Sequence, residues 1–208
     1  ARRDCVAILD LPDETVVDDL VTYRTDESNQ NSSFAAYYGG WLRVYDPYSA
    51  REVSVAPSGH VAAVYATTQS QNNPWSAPAG LQRGVIPNVI GVSKVWAEAE
   101  RDTMYTNQIN PIQSFPGEGV VVWGQKNSQS FASALNRLNV RFLFNYIRNS
   151  LKRSLRPFVF QPNTEFTRSS IDSLASNFMD NVQANDGVDA YQVNVVGSDN
   201  SISIEVSV

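Results

Sequence analysis

Apolar residues recur along this chain with two different periods, and segments of the two kinds alternate. Residues 2–11 form a short β-type run that Pro12 and Asp13 turn, and Val17, Leu20 and Val21 then take helical spacing within 14–23. Residues 25–33 are polar and read as an exposed loop. A β run resumes over 37–48 around Gly39 and Gly40, with Trp41, Leu42, Val44 and Tyr45 expected to be largely buried. Ser58 and Gly59 lead into small apolar residues suited to a helix lying close on a sheet, with Ser58 near its cap. A polar loop at 69–78, anchored by Trp75, separates that helix from a weakly alternating stretch at 85–95. A helix at 97–106 follows, exposing Glu98, Glu100, Arg101 and Asp102.

The remainder is more sharply punctuated. Within 109–126, Pro111 and Pro116 fix φ and deny a helix, Gly117 and Gly119 permit a tight turn, and 120–123 is an unbroken run of β-formers. The order predicted there is loop, turn, buried strand. The clearest helix covers 136–155, where Val140, Leu143, Ile147, Leu151 and Leu155 share a face, and Pro157 ends it. A short strand at 158–160, a turn at 161–163 and an amphipathic helix at 167–182 on Ile171, Leu174, Phe178 and Met179 come next. Strands at 191–196 and 202–208 flank a turn at 197–200. Such alternation indicates an α/β (or α+β) fold with a single mixed β-sheet flanked by helices. No repeat or low-complexity linker interrupts it, so 1–208 reads as one domain.

With 42% apolar and 11% aromatic residues, the 208-residue chain has ample material for a packed core, which excludes disorder of the whole. Its apolar runs fall far short of the ~20 residues that a bilayer-spanning helix needs, so no direct membrane insertion is expected. The N-terminus lacks the charged-then-apolar signature of a signal peptide. The chain begins without methionine and ends inside an alternating run, which suggests a piece of a longer polypeptide.

The net charge of −5 is unevenly spread: residues 1–124 hold 8 basic and 14 acidic side chains, 125–164 hold 7 basic and none acidic, and 165–208 hold 1 basic and 7 acidic. Arg137, Arg141, Arg148, Lys152, Arg153 and Arg156 lie on or beside the helix at 136–155 and form a candidate docking surface for an acidic partner. A nucleic-acid interface is the weaker reading of the same block. The acidic flanks would repel phosphate, and no Arg/Gly/aromatic recognition motif accompanies it.

Catalytic chemistry is hard to build from these residues. His60 is the only histidine, and one imidazole with no Cys, His or carboxylate at ligand spacing makes no zinc site. Ser58 and His60 are too close in sequence to aim at each other, and no nucleophile elbow surrounds them. The glycines at 117 and 119 precede a strand, whereas a phosphate cradle follows one. Asp10, Asp13 and Glu14 match no calcium loop and read as ordinary residues of a strand-to-helix junction. Cys5 sits in a strand-like run and reads as a small buried hydrophobe. No catalytic residue, metal or cofactor is expected.

Five segments, in order, carry a resemblance. Residues 57–66 (PSGHVAAVYA) are similar to P-S-G-x-v-A-G-v-Y-A, with Ala63 where Gly is usual, and 73–80 (NPWSAPAG) to G-v-W-k-A-P-A. The run from Ile109 to Gly124 is similar to I-N-p-I-r-x-f-p-G-x-G-v-v-v-W-G, residues 138–151 to i-n-V-R-R-L-f-n-y-I-e-x-s-l, and 158–163 to f-v-F-E-P-N. These patterns resemble the core of contractile tail sheath proteins of tailed bacteriophages. The motif residues are Pro57, Ser58, Gly59, Trp75, Pro78, Asn110, Pro111, Gly117, Gly119, Trp123, Gly124, Pro162 and Asn163. Departures occur at 125–127, at Phe142, where the family has its second helix arginine, and at Gln161, where it has glutamate.

The resemblance implies a structural subunit and no enzyme. Subunits of this kind stack helically around a tail tube in an extended state and collapse to a shorter, wider sleeve that drives the tube through the host envelope. It implies other sheath subunits and the tube protein as partners, with baseplate and tail terminator proteins at the ends. It also implies a place in the virion tail, assembled in the host cytoplasm. Bacteriocins and other contractile injectors share the design. Extended terminal arms link such subunits by adding strands to a neighbour's sheet; much of both arms is missing here, so the piece is expected to fold as a monomer. Two other readings stay open: an α/β enzyme of unidentified class, and a nucleic-acid-binding module using the basic helix.

Overall fold

The computed structural model describes residues 4–198 and 201–207, and the chain divides into two compact units, Ala1–Phe142 and Leu143–Val208. The first runs β1 (Ala7–Asp10), α1 (Val17–Thr22), β2 (Ala35–Gly39), β3 (Leu42–Asp46), β4 (Arg51–Val55), α2 (Ser58–Gln71), α3 (Gly80–Arg83), β5 (Gly91–Val92), α4 (Glu98–Thr106), β6 (Ile109–Phe115), β7 (Gly119–Val122) and the start of α5 (Leu138–Ser154). The second holds the rest of α5, then α6 (Glu165–Ala184), β8 (Gln192–Ser198) and β9 (Ser201–Ser207).

The α/β class read from the sequence holds, and the mixed sheet flanked by helices is β1-β2-β6-β7. Its first three strands are parallel, and β7 returns antiparallel to β6. Every residue of β2 is buried, as a parallel strand covered on both faces requires. Ala36, Tyr38 and Ile112 pack with Val61, Val64 and Tyr65 of α2 on one face. Tyr37 and Ile109 pack with Leu20 of α1, Met104 of α4 and Trp96 on the other. Strand pairing also produces an antiparallel sheet β4-β3-β5 and a two-stranded ladder β8-β9. In the second unit Tyr146 of α5 and Phe178 of α6 bring their rings to 5.8 Å, and the Tyr191 hydroxyl donates to Ser176 O of α6 at 3.2 Å.

Several local expectations change. The first helix begins at Val17 and continues as a π-helical turn, Tyr23–Ser28, into the stretch read as exposed loop. Arg24 is the cause: it is buried, its Nη2 donates to Ser128 O at 2.9 Å and Gln108 Oε1 at 3.1 Å, and its guanidinium lies over the Tyr37 ring. Tyr45 is 58% exposed, because alternate residues of β3 face opposite ways and Leu42 and Val44 take the inner side. Residues 109–115, read as loop on account of Pro111, are strand β6. It pairs with β2 through Ile109–Pro111 and with β7 through Ile112–Phe115, so the proline stands where one ladder gives way to the other.

The weak alternation at 85–95 yields the two residues of β5 and an isolated antiparallel bridge from Val85 to Val121. At 158–160 a 3₁₀ turn, Arg156–Phe158, replaces the expected strand, with Gln161 N donating to Phe158 O at 3.1 Å. Cys5 is exposed rather than buried, since it lies in a bend ahead of β1. Arg2, Arg3 and Val208 of the expected terminal strands, and Asp199 and Asn200 of the last turn, lie outside the described residues.

Candidate assembly surface

The motif residues of the first unit are joints of the fold. Asn110, wholly buried on β6, donates from Nδ2 to Tyr37 O at 3.0 Å and to Lys126 O at 2.7 Å, while its Oδ1 accepts from Lys126 N at 2.7 Å. One side-chain amide therefore satisfies residue 126 as a neighbouring strand's peptide would. Gly124 has to be glycine beside it: a Cβ would lie 2.7 Å from Asn110 Oδ1 and 3.1 Å from its Cα. Gln113, three positions along β6, makes the same two-way clamp on Trp96, accepting from its N at 3.0 Å and donating to its O at 3.2 Å. The sequence reading missed Gln113 and Trp96, as well as buried Arg24, because each acts through a partner far away in sequence.

Pro57 is buried at the start of α2, and Ser58 N donates to Asp10 Oδ1 at 2.8 Å, so the cap comes from the end of β1 and not from Ser58. Gly59 is exposed, Pro78 buried and Trp75 half-buried. Gly117 and Gly119 make the β6–β7 turn with φ of 83° and 84°, where an L side chain is strained. Trp123, 41% exposed, lays its ring 4.7 Å from Phe115. In the second unit Pro162 is exposed and Asn163 Oδ1 accepts from Arg168 Nη1 at 2.7 Å.

The six basic residues fall into two sets. Arg137 and Arg141 belong to the first unit and are engaged within it. Arg137 donates to the Tyr105 hydroxyl and lies 5.7 Å from that ring's centre, with Lys126 Nζ 4.3 Å from the same ring. Arg141 lies 4.1 Å from the centre of the Phe34 ring and donates to Ser33 Oγ at 2.6 Å. Burial lowers the pKa of Arg141; burial and then the charge of Arg137 lower that of Lys126. Arg148, Lys152, Arg153 and Arg156 belong to the second unit and are exposed, Lys152 and Arg153 in the last turn of α5, where a cation suits the helix dipole.

A shallow hollow of about 400 Å³ between α1 and α4 contains Lys94, whose Nζ donates to Thr15 O and, at 2.7 Å, to Glu100 Oε1. That contact holds the Glu100 pKa below its ordinary value. Tyr38 and Tyr65 share a buried hydroxyl–hydroxyl hydrogen bond, with Phe142 edge-on to Tyr65 at 5.1 Å, and burial pushes both tyrosine pKa values up. Among the described residues no group of three or more His, Cys, Asp or Glu is placed to hold a metal, and no helix is long and apolar enough to cross a membrane. What the geometry of each unit offers is packed core beneath charged and apolar surface.

A family model described as the phage tail sheath protein central domain matches residues 1–128. The chain is 33% identical over 219 residues to the tail sheath protein of Enterobacteria phage T4, covering 98% of this chain and 33% of that protein. It is 32% identical over 211 residues to the tail sheath protein of Vibrio phage KVP40, covering 92% and 31%. The chain thus spans about a third of these curated relatives. In fold it resembles the sheath complex of an extracellular contractile injection system, PVC, in the contracted state, with a TM-score of 0.83 at 22% identity over 97% of this chain and 59% of that one. It likewise resembles the helical sheath of the anti-feeding prophage in the contracted state, with a TM-score of 0.78 at 23% identity over 97% and 56%. With the family match extending over well more than half of its length, the chain belongs to the phage tail sheath family.

Proposed function

We propose that residues 1–208 act as one sheath core domain, part of a longer subunit, and that copies of the parent protein polymerise helically around a tail tube and contract to drive the tube through the host envelope during genome ejection. The observation that carries this reading is the family match over residues 1–128, supported by a fold that follows contracted sheaths across 97% of the chain. The subunit is a mechanical part and not an enzyme. Its partners are other sheath subunits and the tube protein, with the baseplate and tail terminator at the ends; nucleic acid and membrane are not among them. It resides in the virion tail after assembly in the host cytoplasm.

Two sets of subunit contacts that differ in free energy supply the work. Burying ~400 Å² more apolar surface per subunit in the contracted state corresponds to up to ~10 kcal/mol, less after imperfect packing, and many subunits add. Exposed basic residues of α5 and the turn beyond it dock on an acidic surface of a neighbour or of the tube. Electron microscopy and sedimentation of the full-length protein test the reading: tubular polymers of uniform diameter, formed without nucleotide, are expected. Full-length protein that stays dispersed at every salt concentration and with tube protein added would refute it.

A further inference from the structure

Two cations of the first unit are held side by side with no acid between them. Lys126 and Arg137 pair across an isolated antiparallel bridge, whose bonds run from Leu138 N to Gln125 O at 2.8 Å and from Asn127 N to Asn136 O at 3.0 Å. Both bonds lie on the flanking residues, so the two cations form a non-hydrogen-bonded pair. In such a pair the Cα atoms approach to about 4.5 Å and the side chains share a face. Like charges placed directly opposite in this way are destabilising. The repulsion is visible in Lys126, whose pKa is lowered first by burial and then by Arg137.

Tyr105 anchors both side chains. Lys126 Nζ donates to Tyr105 O at 2.8 Å and Arg137 Nη1 donates to the Tyr105 hydroxyl, which engages one N–H of three on the lysine and one of five on the arginine. The remaining N–H groups have no acceptor, and neither cation an ion pair, among the described residues. Both side chains are half-buried, so water screens them only in part. Arg24, bonded to Ser128 O two residues beyond Lys126, adds positive charge that likewise lacks an acidic partner among the described residues. We propose that Lys126 and Arg137 bind one oxyanion between them, a phosphate or carboxylate group, through the N–H groups that Tyr105 leaves free.

A bound anion turns one repulsion into two attractions, and both donors are already fixed in place by contacts that do not use their charge. Such an anion is either free in solution or carried by an Asp or Glu of a neighbouring subunit. The second source rests on the polymerising reading above; binding itself does not, and the test separates the two.

Thermal unfolding of the 208-residue chain is followed at pH 7 in rising sodium phosphate and in sodium chloride of equal ionic strength. A saturable rise in melting temperature is expected with phosphate alone. Lys126→Gln and Arg137→Gln, which keep a donor for Tyr105, should each raise the phosphate Kd at least tenfold. Lys126→Arg should hold it within about threefold of the wild type, and Arg43→Gln, away from the site, should leave it unchanged. In a double-mutant cycle of the two glutamine changes, the coupling should be repulsive in chloride and favourable in phosphate, a reversal that a merely structural pair does not give. A wild-type chain that phosphate stabilises no more than chloride overturns the site, as does a Kd that both glutamine changes leave in place. The full-length parent then distinguishes the sources. Phosphate that lowers tube formation severalfold in the wild type, but not in Lys126→Gln/Arg137→Gln, identifies a neighbour's carboxylate displaced by competition; any other response of the tubes identifies the free anion. If the parent forms no tubes the sheath reading falls, and the phosphate titration decides the site alone.

Discussion

Two side-chain amides on β6 do the work of missing strands, and their contributions can be measured singly. Asn110→Ala leaves the buried Tyr37 O and the half-buried Lys126 N and O without this partner. Each unsatisfied group costs about 1–3 kcal/mol, so urea unfolding should show a loss of at least ~2 kcal/mol. Gly124→Ala pushes a methyl group onto the same amide and should cost about 1–3 kcal/mol by overpacking. The double substitution should cost less than the sum, because removing the amide makes room for the methyl. Additive losses would show that Gly124 is held by something other than Asn110. The Tyr38–Tyr65 pair supplies a pH-dependent case. A tyrosine in the unfolded chain ionises near its ordinary 10.0, while burial keeps both hydroxyls protonated to higher pH in the folded protein. Their contribution is complete below that pH and is lost as pH rises above it. Melting temperatures should fall steeply between pH 9 and 11, about as tyrosines ionise in the unfolded chain, and less so in Tyr38→Phe/Tyr65→Phe. The single change Tyr65→Phe, which leaves the Tyr38 hydroxyl buried and unpaired, should cost about 1–3 kcal/mol at neutral pH and more than the double one.

Helices with a clear apolar stripe were readable because their own spacing determines them: α5 and α6 bury Leu143, Ile147, Leu151, Ile171 and Met179 at the expected period and half-bury Val140, Leu155, Leu174 and Phe178. Elements whose form depends on distant partners were not. Pro111 argues locally against a strand, yet β6 tolerates it at the change of ladder; the polar residues after Tyr23 argue for a loop, yet Arg24 anchors them to Ser128. The candidate surface divides in the same way. Composition located all six basic residues, but only the fold shows that Arg137 and Arg141 lie on Tyr105 and Phe34 inside the first unit. The junction of β1 and α2 is a further case, since Asp10 caps a helix that begins at Ser58. Asp10→Ala removes both the hydrogen bond and a negative charge from that helix N-terminus, and should destabilise by about 1–2 kcal/mol. Asp10→Asn keeps the acceptor and should recover at least half. Equal losses in thermal unfolding would mean that the charge, and not the hydrogen bond, holds the end of α2.

For the molecule as a whole, charge segregation is the feature that the helical assembly would use. Lys152, Arg153 and Arg156 are exposed and form no ion pair among the described residues, so nothing in the fold depends on their sign beyond a favourable helix end. Reversing all three to glutamate should therefore cost about 1 kcal/mol or less, mostly through the α5 dipole, and leave the unfolding transition nearly in place. If these residues dock on an acidic neighbour or on the tube, the same change brings like charges together across an interface. Like charges there cost several kcal/mol and slow encounter. Tube formation by the full-length triple variant should drop at least tenfold. The wild type should show its own weakening as salt rises, because at 0.15 M charges separated by more than about 8 Å are largely screened. Salt and substitution have to agree. A variant that forms normal, contractile tubes would place the docking surface elsewhere, and a wild type indifferent to salt would mean that apolar contacts, not these cations, set the strength of the polymer.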